Sequence, residues 1–139
     1  MDQKPDFSRG RFKVNLLLDT HILLWWLADD PRLPGKAREW IARDAQSLFV
    51  SVVSLWEISI KASKGKLRAD LAAIHKQIED GDYTYLPVEP AHVLRLSRLP
   101  AHHADPFDRM LLAQAISEKL TLLTCDTPLR RYGESVLLA

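Results

Sequence analysis

Asp19, Glu57, Asp108 and Asp126 each stand beside an apolar run that reads as core. Asp19 closes Val14-Asn15-Leu16-Leu17-Leu18, and Asp126 closes Leu120-Thr121-Leu122-Leu123-Thr124-Cys125. Glu57 lies within Ser54-Leu55-Trp56-Glu57-Ile58, just past the run from Leu48 to Val53, and Asp108 opens the segment Arg109 to Ile116. Buried runs usually end in neutral turn residues. Four carboxylates gathered at one edge of a sheet repel one another, and a divalent cation is the simplest way to hold them together. Mg²⁺ takes oxygen ligands, keeps several waters and needs only a few carboxylates, and Mn²⁺ accepts the same set. An ion held this way acidifies water and stabilises charge building on a phosphodiester. The pattern predicts a metal-dependent enzyme with Asp19, Glu57, Asp108 and Asp126 as its catalytic, metal-holding acids. Nothing in the sequence fixes whether one ion or two bind.

Each acid also has a plainer use. Asp19 precedes Thr20 and a helical stretch, and either residue can serve as the N-cap. Glu57 is four residues before Lys61, a stabilising helix pair that suits an exposed face, whereas Glu57 is flanked by Trp56 and Ile58. Asp105, before Pro106, is an expected N-cap and also a candidate ligand. Asp108, at the third helical position, resembles half a capping box. Asp126, before Thr127-Pro128, is placed to start a turn. Thr20 and Thr124 carry hydroxyls suited to bonding a carboxylate or contacting substrate. Lys61 and Arg109, with Lys64, Lys66, Arg68, Arg130 and Arg131, are candidates for a phosphate-binding rim, set against an ordinary solvated face. His102 and His103 lack zinc-ligand spacing and read as loop or substrate-contact residues. Trp25 and Trp26 read as core or interface, and Cys125 as a small core residue.

The elements that must position these residues follow from periodicity. Short strands are expected over Val14–Leu18, Ser47–Val52, Tyr83–Val88 and Thr121–Thr124, with an edge strand over Glu134–Leu138. Helices are expected over His21–Leu27, Gly35–Arg43, Ser54–Lys64, Asp70–Glu79, Pro90–Leu99 and Pro106–Lys119, with Asp29-Asp30-Pro31, Gly65 and Gly81 as stops. Strands buried on both faces and alternating with helices argue for an α/β fold with a small, mostly parallel central sheet flanked by helices. Ligands in such folds collect at the carboxyl ends of the strands. Asp19 and Asp126 fall at that edge, and Glu57 and Asp108 fall in the first turns of helices that begin near it.

Composition narrows the class. A chain of 139 residues that is 47% hydrophobic has the material for one domain with a real core. Residues 1–12 read as a flexible N-terminal tail, polar and without the apolar centre of a signal peptide, and 13–139 as the single domain. A net charge of +1, from 19 basic and 18 acidic residues, does not announce a nucleic-acid binder in bulk. One cysteine excludes an internal disulfide and fits the reducing cytoplasm. No apolar stretch approaches the roughly 20 residues of a membrane span.

Taken together, Leu16-Leu17-Leu18-Asp19-Thr20-His21, Ser54-Leu55-Trp56-Glu57-Ile58, the run His103-Ala104-Asp105-Pro106-Phe107-Asp108-Arg109-Met110-Leu111-Leu112-Ala113-Gln114-Ala115, and Leu123-Thr124-Cys125-Asp126 resemble the PIN-domain family. The likeness is greatest to its VapC-type toxins of toxin–antitoxin pairs, and it spans about residues 14 to 138. Each motif alone is weak; the four in order are specific. The resemblance implies a PIN-like fold and a Mg²⁺- or Mn²⁺-dependent ribonuclease acting on structured or messenger RNA. It places the metal-site roles on Asp19, Glu57, Asp108 and Asp126, with Asp105 sharing that role through the Asp-Pro-Phe-Asp-Arg variant of the third motif. It also implies a homodimer and a small cognate antitoxin whose C-terminal segment blocks the site, with DNA bound only through the antitoxin. Here the final motif holds Asp126 without a second acid close behind it.

Rival acidic α/β folds fit less well. A phosphoacceptor receiver domain wants adjacent acids after its first strand and a lysine after a late one, where Asp19-Thr20 and Thr124-Cys125 stand. A haloacid-dehalogenase-like phosphatase wants an acid two positions after Asp19, where His21 stands. A catalytically silent PIN-like module that binds RNA or protein is the remaining alternative.

Overall fold

The computed structural model describes residues 13–103 and 105–139; the tail expected over 1–12 lies outside them. Five strands form one sheet: β1 (Val14–Leu18), β2 (Ala45–Ser51), β3 (Tyr83–Leu86), β4 (Thr121–Thr124) and β5 (Val136–Leu138). Their order is β3-β2-β1-β4-β5, and every pairing is parallel. The expectation of a mostly parallel sheet is thus met by a wholly parallel one, closed at one edge by β5. Among the described residues six α-helices cover it: α1 (Thr20–Leu27), α2 (Gly35–Glu39), α3 (Val52–Ser63), α4 (Leu71–Asp80), α5 (Pro90–Arg98) and α6 (Pro106–Glu118). No described helix is long and apolar enough to cross a membrane.

The alternation of β1 builds two cores. Leu16 and Leu18 face one side with Ile22, Leu23, Val50, Ile78 and Leu123. Leu17 faces the other with Leu111, Leu112, Ala115, Leu122 and Leu129. A parallel sheet needs both faces covered, and the central strands are accordingly apolar throughout. β1 leads outward to β2 and β3, whereas β4 returns to the other side of β1 and leads outward to β5. The chain therefore changes direction between β1 and β4. A crevice opens at such a point outside the carboxyl ends of the two strands, which is where Asp19 and Asp126 lie.

Several boundaries differ from the sequence expectation for identifiable reasons. The second strand spans Ala45–Ser51, two residues earlier than expected, and helix begins at Val52. The Ser51 hydroxyl accepts from the Val53 N–H and caps α3, so the β-branched pair Val52-Val53 is drawn into the helix. Ser51 also donates to the buried Gln114 amide oxygen at 2.6 Å, tying the start of α3 to α6. The helix expected over 35–43 ends as regular helix at Glu39 and continues as a wider π turn, Trp40–Asp44. The third strand stops at Leu86, before Pro87, which has no N–H for the ladder. The 3₁₀ segment Thr127–Ser135 was not anticipated; its one buried anchor, Leu129, gives no periodicity to read.

Candidate active site

Asp19 leaves β1 with its N–H bonded to Leu123 O of β4 at 3.0 Å, so its position is fixed by the sheet itself. Its carboxylate is 6% exposed. Oδ1 accepts from the His21 N–H at 3.2 Å, and Oδ2 accepts from the Thr124 hydroxyl at the end of β4. Asp19 thus caps α1 and at the same time lines the cavity at the crevice. Burial pushes its carboxyl above the ordinary range, against the Thr124 hydroxyl and the His21 N–H, which pull it down.

Glu57 is 3% exposed and shares the inner face of α3 with Val53, Ser54 and Ile58. Trp56, its apolar neighbour in sequence, points outward and is 60% exposed, so helical phase rather than flanking residues buries Glu57. Oε1 accepts from the Thr20 hydroxyl at 2.7 Å, and Oε2 pairs with Lys61 one turn on. The Lys61 ammonium is stabilised by that bond and its pKa rises. The Glu57–Lys61 helix pair therefore exists, at the wall of the site rather than on a solvated face.

α6 delivers the remaining acids. Asp105 Oδ1 accepts from the N–H groups of Phe107 at 2.8 Å and Asp108 at 3.1 Å, a true N-cap, while Asp105 also lines the site. Asp108 follows one turn inside. Burial first, then the charges of Asp19, Asp105, Glu57 and Asp126, raise its carboxyl to about 8. Asp126, just past β4, donates its N–H to Thr124 Oγ1 at 3.0 Å, and Oδ2 lies 2.7 Å from His103 Nε2.

His103 is the site residue that the sequence reading underrated. Its Nδ1 accepts from the Asp105 N–H at 3.0 Å, so Nε2 carries the proton offered to Asp126. The same Nε2 lies 3.4 Å from Asp108 Oδ2. Donor atoms of His103, Asp108 and Asp126 all fall within 4.8 Å of one another. Nothing periodic marks His103; its closeness to Asp126 is a contact across 23 positions.

The substrate-side expectations fare variously. Thr20 and Thr124 are buried and bonded to Glu57 and Asp19, which gives them a supporting post behind the acids. Arg109 does not line the cavity; its guanidinium donates to the carbonyls of Pro100 at 3.1 Å, His103 at 3.4 Å and Leu96 at 3.4 Å, clamping the loop that carries His103. Lys61 does line the cavity, as do Trp25 and Cys125, both read from sequence as packing residues.

The assembled cavity measures about 360 Å³ and is walled by Asp19, Glu57, Asp105, Asp108, Asp126 and His103, with Lys61 alongside Glu57. Five carboxyl groups face one lysine, and burial together with the neighbouring acids raises the Asp108 carboxyl to about 8. Carboxylate oxygens in excess fit a hard divalent ion. Thr124→Val leaves Asp19 Oδ2 without its donor. We expect a 10- to 100-fold loss of metal affinity or activity, typical for a removed supporting bond, with recovery in Thr124→Ser; metal titration of the two variants checks it.

A family model described as PIN domain matches residues 16–135. This chain belongs to the PIN-domain family. Among curated relatives of this PIN domain is Ribonuclease VapC22 of Mycobacterium tuberculosis, 28% identical over 122 residues that cover 86% of this chain and 92% of that protein. Among solved structures, the crystal structure of VapBC2 from Rickettsia felis bound to a DNA fragment from their promoter superposes with a TM-score of 0.65 at 16% identity, covering 91% of this chain and 98% of that one. A toxin–antitoxin complex from Klebsiella pneumoniae gives 0.65 at 18% identity, covering 88% and 96%. At these identities the structural likeness concerns the PIN fold.

Proposed function

We propose that this chain is a Mg²⁺- or Mn²⁺-dependent endoribonuclease, the toxin of a toxin–antitoxin pair. The observation that carries the reading is the convergence of Asp19, Glu57, Asp108 and Asp126, from four separate elements, on one cavity at the β1–β4 crevice. The relative named as a ribonuclease and the complexes that share the fold support it. Residues 13–139 form the working PIN domain in this reading, and the cytoplasm is where it acts.

Asp19, Glu57, Asp108 and Asp126 would hold the ion, with Asp105 and His103 beside them. When bound, such an ion supplies Lewis-acid stabilisation of a phosphodiester and acidifies water. The chain's own groups do the positioning. Thr124 and the His21 N–H fix both oxygens of Asp19, and Thr20 and Lys61 fix both oxygens of Glu57. Lys61, at the cavity wall, is placed to meet a phosphate oxygen. Arg109, bonded to the carbonyls of Pro100 and His103, helps keep His103 beside Asp126 and Asp108.

The partners follow from the same reading. A small antitoxin covers the acids, and the complex meets DNA through the antitoxin. A homodimer suits the outer face of α3, where Trp56 stands edge-on to Phe107 at 5.2 Å and Val52 is exposed one turn earlier.

Purified protein freed of antitoxin should cleave RNA with Mg²⁺ or Mn²⁺ and stop in EDTA. Expression of the chain alone should arrest growth, and co-expression with the neighbouring open reading frame should relieve the arrest. Cleavage that persists in chelator would refute the metal mechanism. RNA affinity without turnover would instead support the silent binding module.

A further inference from the structure

His21 lines three cavities: the 360 Å³ acidic one, one of about 210 Å³, and one of about 580 Å³. The acidic site therefore continues past His21 into a groove between α1 and the turn and helix that follow α3. Leu24, Lys66 and Leu67 line both of the outer cavities, and Trp25 lines the acidic and the largest one. Along this path the charge changes sign. The acids give way to Lys66 and Arg68, both exposed. The two acids of the groove are already engaged: Asp30 is held by Arg32 at 2.8 Å, and Asp70 caps α4. The groove also holds an aromatic platform. The rings of His21 and Trp25 lie 5.8 Å apart at 37°, and the Arg32 guanidinium sits 5.6 Å from the Trp25 ring centre.

We propose that this groove is a single-strand subsite, in which a nucleotide flanking the scissile phosphate stacks on Trp25 and its backbone runs along Lys66 and Arg68. The inference rests on the ribonuclease reading above and adds to it the residues that hold the nucleotides flanking the cut. A phosphodiester seated among the acids must lead its flanking chain out of the cavity, and the groove is a continuous exit. Sequence-tolerant binding of single strands uses this combination, a basic track with aromatic faces for unstacked bases. A base-paired strand keeps its bases stacked on each other and cannot offer one to the indole. Basic rim groups, with Asp30 paired to Arg32 and Asp70 turned to the N-terminus of α4, favour a polyanion, and the indole beside the acids places the stack next to the cut.

The test uses the full chain in EDTA, so that binding is read without cleavage, with a labelled single-stranded oligoribonucleotide and the same sequence closed into a duplex hairpin stem. The wild type should prefer the single strand. Trp25→Ala should weaken it about 5- to 100-fold, the usual worth of one base–aromatic stack, and Trp25→Phe should recover much of that. Lys66→Ala with Arg68→Ala should reduce the slope of log K against log salt by about 1.4, for two phosphate contacts on a single strand. Lys76→Ala, on the outer side of α4, should change nothing. In cleavage assays the groove variants should raise KM more than they lower kcat. Should Trp25→Ala destabilise the fold, the surface pair Lys66/Arg68 still decides. Unchanged RNA binding in the groove variants overturns the subsite, and does so most clearly if those variants weaken a peptide partner instead. Those results leave the ribonuclease reading standing as long as the wild type cuts RNA; a wild type that neither binds nor cuts RNA removes that reading itself.

Discussion

Asp19→Asn is expected to reduce RNA cleavage by at least about 10²–10³-fold, the scale for removing one group that stabilises transition-state charge in a water-poor site. The fold should survive the change. The amide keeps the shape: its oxygen can still accept from the His21 N–H, and its NH2 can donate to the Thr124 hydroxyl, which turns to accept. Removing a carboxylate that burial already disfavours also costs the metal-free protein nothing electrostatically. Circular dichroism and antitoxin binding should match the wild type while turnover with Mn²⁺ is lost. Asn in place of Asp19 with near-normal turnover would show that the buried acid is a cap and no more.

Asp108→Asn should separate function from stability in the opposite direction. The Asp108 carboxyl is raised to about 8 by burial and four acidic neighbours. For an acid with a raised folded-state value, the folded protein binds the proton more tightly than the unfolded chain does. The contribution to stability is therefore full below about pH 4 and is lost as pH rises through about 8. In EDTA at pH 8 to 9 the variant should be the more stable protein. After allowance for the solvent screening of a half-buried group, the gain is about 1–2 kcal/mol, or roughly 3–8 °C in midpoint for a chain of this size. The difference should shrink toward pH 4. Mn²⁺ should raise the midpoint of the wild type and not that of the variant, because a ligand stabilises only the state that binds it. Thermal unfolding at four pH values, with and without Mn²⁺, measures all of this. A variant less stable than wild type at pH 9 would mean that the acids are not in mutual repulsion.

These expectations were partly legible before any coordinates. β1 and β4 show as apolar runs because both faces of the central strands are buried, and an acid at the end of each marks the crevice edge. α6 is announced by Asp105-Pro106, a cap followed by the residue that suits the first helical turn. Local chemistry of this kind survives translation from sequence to fold. Contacts made between elements do not. His103 meets Asp126 across 23 positions, and Thr124 meets Asp19 across 105. Trp25 shows the same limit: an indole in an apolar run reads as packing, and only the arrangement of α1 against the turn after α3 places it on the wall of both cavities.

Whether these carboxylates hold an ion is read most directly from a crystal of this protein soaked in Mn²⁺, by anomalous scattering. An anomalous peak is expected within the 360 Å³ cavity, bonded to oxygens of Asp19 and Asp108, with Glu57 and Asp126 directly or through water around it. Asp19→Asn should lose that peak under the same soak. A fully soaked wild-type crystal with no manganese among these carboxylates, or with the ion bound only elsewhere, would contradict the metal mechanism.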